Sequence, residues 1–272
     1  MIVYTPPLTG LHPVSPPLEA DAICCGGVRG DRPPSDCPST ILHEKQQACI
    51  EAAKNGDIDT IRALADGTYS NFTDRAPLDV SACYDDEGNS PLSWAAGNGY
   101  LNVCRYLVEE CDMDPARAVG KKKRRRQAIH WSARNGHSHI CEWLVVNHGI
   151  DVDATTENGT TPLHFAIWMG QFGCVSWLVE VGKCNVNKRN DFGCNAAHWC
   201  GFKGDVDMLK YMQRQGLDFM HINKNKRSAV HKAAVKGNFE ACRWLLTAVE
   251  EGGGGLTIHH MQPDLEGKRV IS

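Results

Sequence analysis

The sequence has no Cys-x-x-Cys pair, no apolar run approaching 18 residues, and no opening stretch of basic then apolar residues. Each absence excludes a class. Without paired cysteines at short spacing, a zinc ribbon and a thioredoxin-like redox motif drop out. Without a long apolar window, no segment reads as a bilayer span, so no membrane contact is expected. Met1 to Pro7 lacks the charged and apolar regions of a secretory signal, which places the expected location inside the cell, in cytoplasm, nucleus or both. Gly-x-Ser-x-Gly, a phosphate-cradling glycine loop and His-Glu-x-x-His are missing as well, so no enzyme is expected and no catalytic residue is assigned.

What is there is an ordinary soluble composition: 272 residues, 42% hydrophobic, with 29 basic against 32 acidic residues and a formal charge of −3. Thirteen cysteines, an odd number, argue against a disulfide framework and for a reducing compartment. Eight of the 13 prolines fall in the first 40 residues, beside Gly26-Gly27 and few large apolar side chains. Such a stretch cannot bury enough surface to offset its ordering entropy, so residues 1–43 are expected to form an arm without regular structure. Gly252 to Gly255 reads as a flexible joint, within a segment 251–272 outside the main domain.

Between these ends the chain repeats itself. Ser90-Pro91-Leu92-Ser93-Trp94-Ala95 recurs as Gln127-Ala128-Ile129-His130-Trp131-Ser132 and Thr161-Pro162-Leu163-His164-Phe165-Ala166. It returns as Asn195-Ala196-Ala197-His198-Trp199-Cys200 and Ser228-Ala229-Val230-His231-Lys232-Ala233, with starts 37, 34, 34 and 33 residues apart. Four residues after each motif stands Gly99, Gly136, Gly170, Gly204 or Gly237. A capped helix opening on Ser/Thr-Pro, a glycine reversal and a second helix account for the unit. One helix pair cannot bury its own apolar face, so neighbouring units must stack.

The pattern resembles the ankyrin repeat, whose period is about 33 residues and whose opening is Thr-Pro-Leu-His-x-Ala. Residues 161–166 match every position of that opening. The resemblance implies an all-α solenoid of stacked helix-turn-helix units joined by β-turn fingers, over residues 44–250. Six repeats are counted, near 47–66, 88–111, 125–149, 159–182, 193–216 and 226–250, the first lacking the Pro-Leu-His opening as a capping unit would. Asp264 to Arg269 resembles a finger entering a truncated seventh. The long connection from Leu64 to Ser90 is expected to protrude, because extra length in an array goes to loops on one face.

The remaining candidate residues are weighed against this frame. His130, His164, His198 and His231 recur once per repeat, but helices about 8–10 Å apart cannot bring their nitrogens within about 2.0–2.1 Å of one zinc ion. The resemblance assigns these histidines, with Thr161, Pro162 and Leu163, a structural hydrogen-bonding role, so no metal and no cofactor is expected. The aromatic ladders Trp94-Trp131-Phe165-Trp199 and Tyr106-Trp143-Trp177-Tyr211-Trp244 read as packing between units. Cys104, Cys141 and Cys242 share a register filled elsewhere by Val175 and Leu209, and are expected to be buried. Lys121, Lys122, Lys123, Arg124, Arg125 and Arg126 do not follow the rhythm. This run is the candidate partner or nuclear-import site, with the acidic Asp85-Asp86-Glu87 of the preceding finger expected beside it. The resemblance implies a monomeric scaffold binding an unidentified protein through its concave face and fingers. The alternative is a nuclear factor that meets nucleic acid or an acidic partner through residues 121–126.

Overall fold

The computed structural model describes residues 38–120, 125–267 and 270. By contacts the chain divides into two units, 1–41 and 42–272. Only residues 38–41 of the first are described, so the arm expected over 1–43 lies largely outside the described residues.

Twelve α-helices run in consecutive pairs among the described residues. They are α1 (Pro38–Asn55) and α2 (Ile58–Ala65), α3 (Pro91–Asn98) and α4 (Leu101–Glu109), α5 (Ala128–Asn135) and α6 (Ser138–His148). Then come α7 (Pro162–Met169) and α8 (Phe172–Glu180), α9 (Ala196–Lys203) and α10 (Val206–Arg214), α11 (Ala229–Val235) and α12 (Phe239–Leu246). The architecture is all-helical. The one β-type pairing described is an isolated bridge between Val119 and Arg126.

Helix α7 shows why these residues form this unit. Thr161 is its N-cap and accepts from the His164 N–H, while Pro162 opens the first turn, where no backbone donor is lost. The helix stops at Gly170, whose φ of +78° only glycine adopts without strain. First helices then stack on first helices, α3 on α5, α7, α9 and α11 in order, and α2 on α4, α6 on α8 and α10 on α12 form a second layer. Between the layers lie Ile61, Leu107, Ile129, Leu144, Leu163, Ile167, Leu178 and Leu209, all fully buried. Each such side chain contributes about 1.5–3 kcal/mol of transfer free energy.

Four expectations need correction. Helix α1 begins at Pro38 rather than near Gln47, so residues 38–43 are helical and not part of an irregular arm. Proline is acceptable there because it takes the opening turn of a helix, and the composition shift alone could not show that. The segment after Glu250 is not a loose joint. Leu256 is buried, its N–H donates to the Leu245 carbonyl at 2.8 Å, and Trp244 Nε1 donates to the Gly252 carbonyl at 2.9 Å. The turn at Asp264 meets the preceding finger, Leu265 N–H to Asn225 carbonyl at 3.3 Å, and Asp264 takes a 2.6 Å bond from Arg227 Nε.

The connection from α2 to α3 protrudes only in part. Residues 73–77 are exposed, but Tyr69 and Phe72 are half-buried against the core, and Leu78, Val80 and Cys83 return to it. Lys45, itself buried, fastens the loop by bonds to Asp74 at 3.0 Å and the Ala76 carbonyl at 2.9 Å.

The cysteines divide as well. Cys104 and Cys141 are fully buried, whereas Cys242 is half-buried, because its register lies near the end of the stack. Burial pushes the Cys104 thiol up to about 12, and a protonated thiol is a poor nucleophile. In the native protein a maleimide should therefore modify Cys242 well before Cys104. Equal labelling rates, read by mass spectrometry of tryptic peptides, would contradict the packing described.

Candidate functional site

The four ladder histidines are placed by the helix starts. Each sits three residues after an N-cap, so its ring folds back over its own first turn. The Nδ1 atoms of His130, His164 and His231 accept from the backbone N–H of Gln127, Thr161 and Ser228 at 3.2, 3.1 and 3.2 Å. The opposite nitrogen reaches the next unit: His130 Nε2 lies 3.0 Å from the Ala154 carbonyl, and His231 Nε2 2.8 Å from that of Gln262. His164 bonds the Lys188 backbone in the same way. His198 stands between Asn195 Oδ1 and the Arg227 carbonyl, each 2.9 Å away, and a neutral ring donates to one of them. Burial holds His130 down to about 4, His164 to about 3 and His198 to about 4, and lowers His231. These rings are neutral connectors between units. Among the described residues no group of three or more His, Cys, Asp or Glu is arranged to hold a metal ion.

The aromatic residues of the first helices do more than pack. Phe165 is buried, but Trp131, Trp168 and Trp199 are half-exposed. Phe165, Trp168 and Trp199 form a continuous strip, with ring centroids 6.4 Å apart from Phe165 to Trp168 and 5.9 Å from Trp168 to Trp199, and Arg126 joins Trp131 to it. Guanidinium groups lie on it. Arg126 is 4.8 Å from the Trp131 ring and 4.6 Å from Phe165, and Arg134 is 5.7 Å from Trp131. Further along, Lys236 sits 4.4 Å from Phe202. Trp131 Nε1, Arg134 Nε and Trp199 Nε1 are buried without a hydrogen-bond partner. Every one is a donor.

The basic run is therefore split by the fold. Arg126 is half-buried, bridges to Val119 through two backbone bonds of 2.9 and 2.8 Å, and serves the aromatic strip. Arg125 is exposed, and Lys121, Lys122, Lys123 and Arg124 lie outside the described residues. Other fingers close between positions four apart: Asp85 to Asn89, Thr156 to Thr160, Asn190 to Cys194 and Asn223 to Arg227. This one closes between positions seven apart, 119 and 126, and the three added residues match the period of 37 against 34. The acidic finger is its neighbour, since the Gly120 N–H donates to the Gly88 carbonyl at 2.9 Å. Asp85 is occupied by its own turn, accepting from the Asn89 N–H at 2.8 Å and from Trp94 Nε1 at 2.9 Å. Of the acidic triplet, Asp86 and Glu87 are the exposed members.

Sequence reasoning missed Trp168 and Arg134, which follow Phe165 and Trp131 by three residues. On a helix that spacing puts them on the same face, and this was the available signal.

A family model described as ankyrin repeats (3 copies) matches residues 32–118, 116–190 and 181–252. The chain belongs to the ankyrin-repeat family. Among curated proteins this ankyrin chain is similar to palmitoyltransferase AKR1 of Candida glabrata, 28% identical over 235 residues, covering 74% of the chain and 29% of that protein. It is similar to palmitoyltransferase AKR1 of Lachancea kluyveri at 25% identity, covering 52% of the chain and 19% of that protein. Mouse inversin is 27% identical over 44% of the chain and 11% of its own length. The ankyrin chain thus spans less than a third of each of these relatives. No helix among the described residues is long and apolar enough to cross a membrane.

Proposed function

We propose that the array is a non-enzymatic scaffold that holds a partner protein against the face built by fingers and first helices. In this reading the six helix pairs are six ankyrin repeats, and the Asp264 turn starts a seventh finger. The observation that carries it is the half-exposed strip of Trp131, Trp168 and Trp199 under Arg126 and Arg134. Tryptophan and arginine are the residues that most often dominate binding energy at protein interfaces. The basic finger, residues 121–126, adds a long-range field that favours an acidic partner and speeds encounter. Transfer chemistry is named for the two yeast relatives, and this chain spans less than a third of either. Its ladder histidines are committed to backbone bonds, and burial raises the thiols of Cys104, Cys184 and Cys200. We place the scaffold in cytoplasm or nucleus, acting as a monomer.

The test is comparative capture. A partner recovered by the wild-type chain should bind Trp131→Ala/Trp168→Ala about 30–100-fold more weakly, as expected for hot-spot losses of 2 kcal/mol or more. Both rings are partly packed, so the variant's unfolding midpoint should fall, and binding is compared at a temperature where circular dichroism shows it folded. Replacing residues 121–125 by Ser should slow association and flatten its salt dependence, leaving Arg126 on the strip. Undiminished binding by the double variant would refute the scaffold face. Recovery of nucleic acid, with a steep loss of affinity as salt rises, would move the assignment to the basic finger.

A further inference from the structure

The second unit breaks the histidine register: Ser93 stands where the third, fourth, fifth and sixth units carry His130, His164, His198 and His231. In the third and fourth units the imidazole joins its own helix start to the carbonyl 24 residues ahead, His130 to Ala154 and His164 to Lys188. The same offset from Ser93 falls on Arg117. At this point the structure has a cavity of about 90 Å³, whose lining includes Ser90, Ser93, Leu92, Met113, Arg117 and Val119, with Tyr84, Asp112 and Asp114 also on its wall. It is bounded by both ends of the missing link, Ser90 and Ser93 at the helix start and Arg117 at the far side. Ser93 Oγ reaches only back to Ser90 Oγ, at 3.1 Å. Elsewhere that distance belongs to a ring nitrogen: Thr161 Oγ1 to His164 Nδ1 at 3.1 Å, Ser228 Oγ to His231 Nδ1 at 3.0 Å.

Size and lining define what fits. A single water needs roughly 10–15 Å³ by this measure, so the space exceeds one water several-fold. Leu92, Met113 and Val119 are buried apolar walls suited to ring faces, and Ser90 and Ser93 are buried polar groups at one end. We propose that this cavity is a binding site for a small planar heterocycle carrying one N–H donor and one bare ring nitrogen, imidazole being the simplest. The bare nitrogen accepts from the Ser90 N–H and the ring N–H donates to the Arg117 carbonyl, which reproduces the connection made by histidine in the neighbouring units. A ligand of five heavy atoms binds with Kd on the order of millimolar.

The experiment is a thermal-shift titration of the full chain with imidazole at pH 8, where the neutral form prevails. A saturable rise in Tm of about 3 °C is expected at ten times Kd. N-methylimidazole, which lacks the N–H, should give less than a third of that rise. Ser93→His should raise Tm without ligand and remove the imidazole response, because its own ring occupies the site. Should that variant not fold, Ser93→Leu fills the space without a ring nitrogen and should likewise be unresponsive. Hydrogen exchange gives an independent reading: imidazole should slow exchange of the Ser90 amide in the wild type. No saturable shift, or an equal shift in wild type and filled variants, would overturn the proposal.

Discussion

Lowering the pH from 7.5 to 5 should strongly destabilise this array, before most of its carboxylates are protonated. The cause is the buried histidine relay. His130, His164 and His198 have folded values of about 4, 3 and 4 against an unfolded value near 6.5. A depressed folded value means that the unfolded chain binds more protons. Stability from these rings is therefore fully present above pH 6.5 and declines as pH falls towards 4. At pH 5 each ring costs about 2 kcal/mol, from 1.36 kcal/mol per unit over 1.5 units. Three such losses are comparable to the whole stability of many domains, about 5–15 kcal/mol. Urea midpoints measured from pH 7.5 to 5 should fall steadily, and His164→Gln should be less stable at pH 7.5 yet show a shallower decline. A flat profile over that window would mean that the rings are not buried as described.

The second large effect concerns Gly201, in the middle of α9. A Cβ built there collides with the Ala229 carbonyl oxygen, backbone of α11, and no side chain can yield to make room. Gly201→Ala must push α9 and α11 apart, at a cost of about 2–3 kcal/mol. Helix propensity alone would argue the opposite, since alanine is favoured over glycine by about 1 kcal/mol inside a helix. Gly97→Ala in α3 is the control. Its Cβ meets nothing closer than 3.6 Å, so that variant should equal or exceed the wild type. If chemical denaturation finds Gly201→Ala as stable as Gly97→Ala, the close α9–α11 approach is wrong.

Much of this molecule was legible because it repeats. The period, the N-cap at Thr161 and the turn glycines are local features, and local features leave marks in sequence. The ends were not legible for the converse reason. Proline-rich composition conceals that a helix starts at Pro38, and Leu256 joins the core through packing that leaves no local mark. The loop after α2 was misjudged in the same way, since its protruding length is visible but its fastening to Lys45, 29 residues from Asp74, is not. The candidate face was half visible. A ladder at the repeat period speaks equally for packing and for display, and only the geometry separates buried Phe165 from half-exposed Trp131, Trp168 and Trp199. Arg126 looked like part of a charged tip, whereas its register places it on the aromatic strip.

The relay of imidazoles has a direction, and direction gives the array unequal ends. Where the bonds to Nδ1 fix the tautomer, the ring hands a hydrogen-bond donor forward, from His130 to Ala154 and from His231 to Gln262. Peeling the chain from its C-terminal side leaves a ring N–H for water to take up, at the cost of the bond alone, about 0.5–1.5 kcal/mol. Peeling from the N-terminal side uncovers a carbonyl, which water satisfies at little cost. At Ser93 no ring is handed forward, so the seam between α3–α4 and α5–α6 lacks this link and is fastened in the opposite sense, by Asn135, His137 and His139 reaching back to the carbonyls of Gly97 and Gly99.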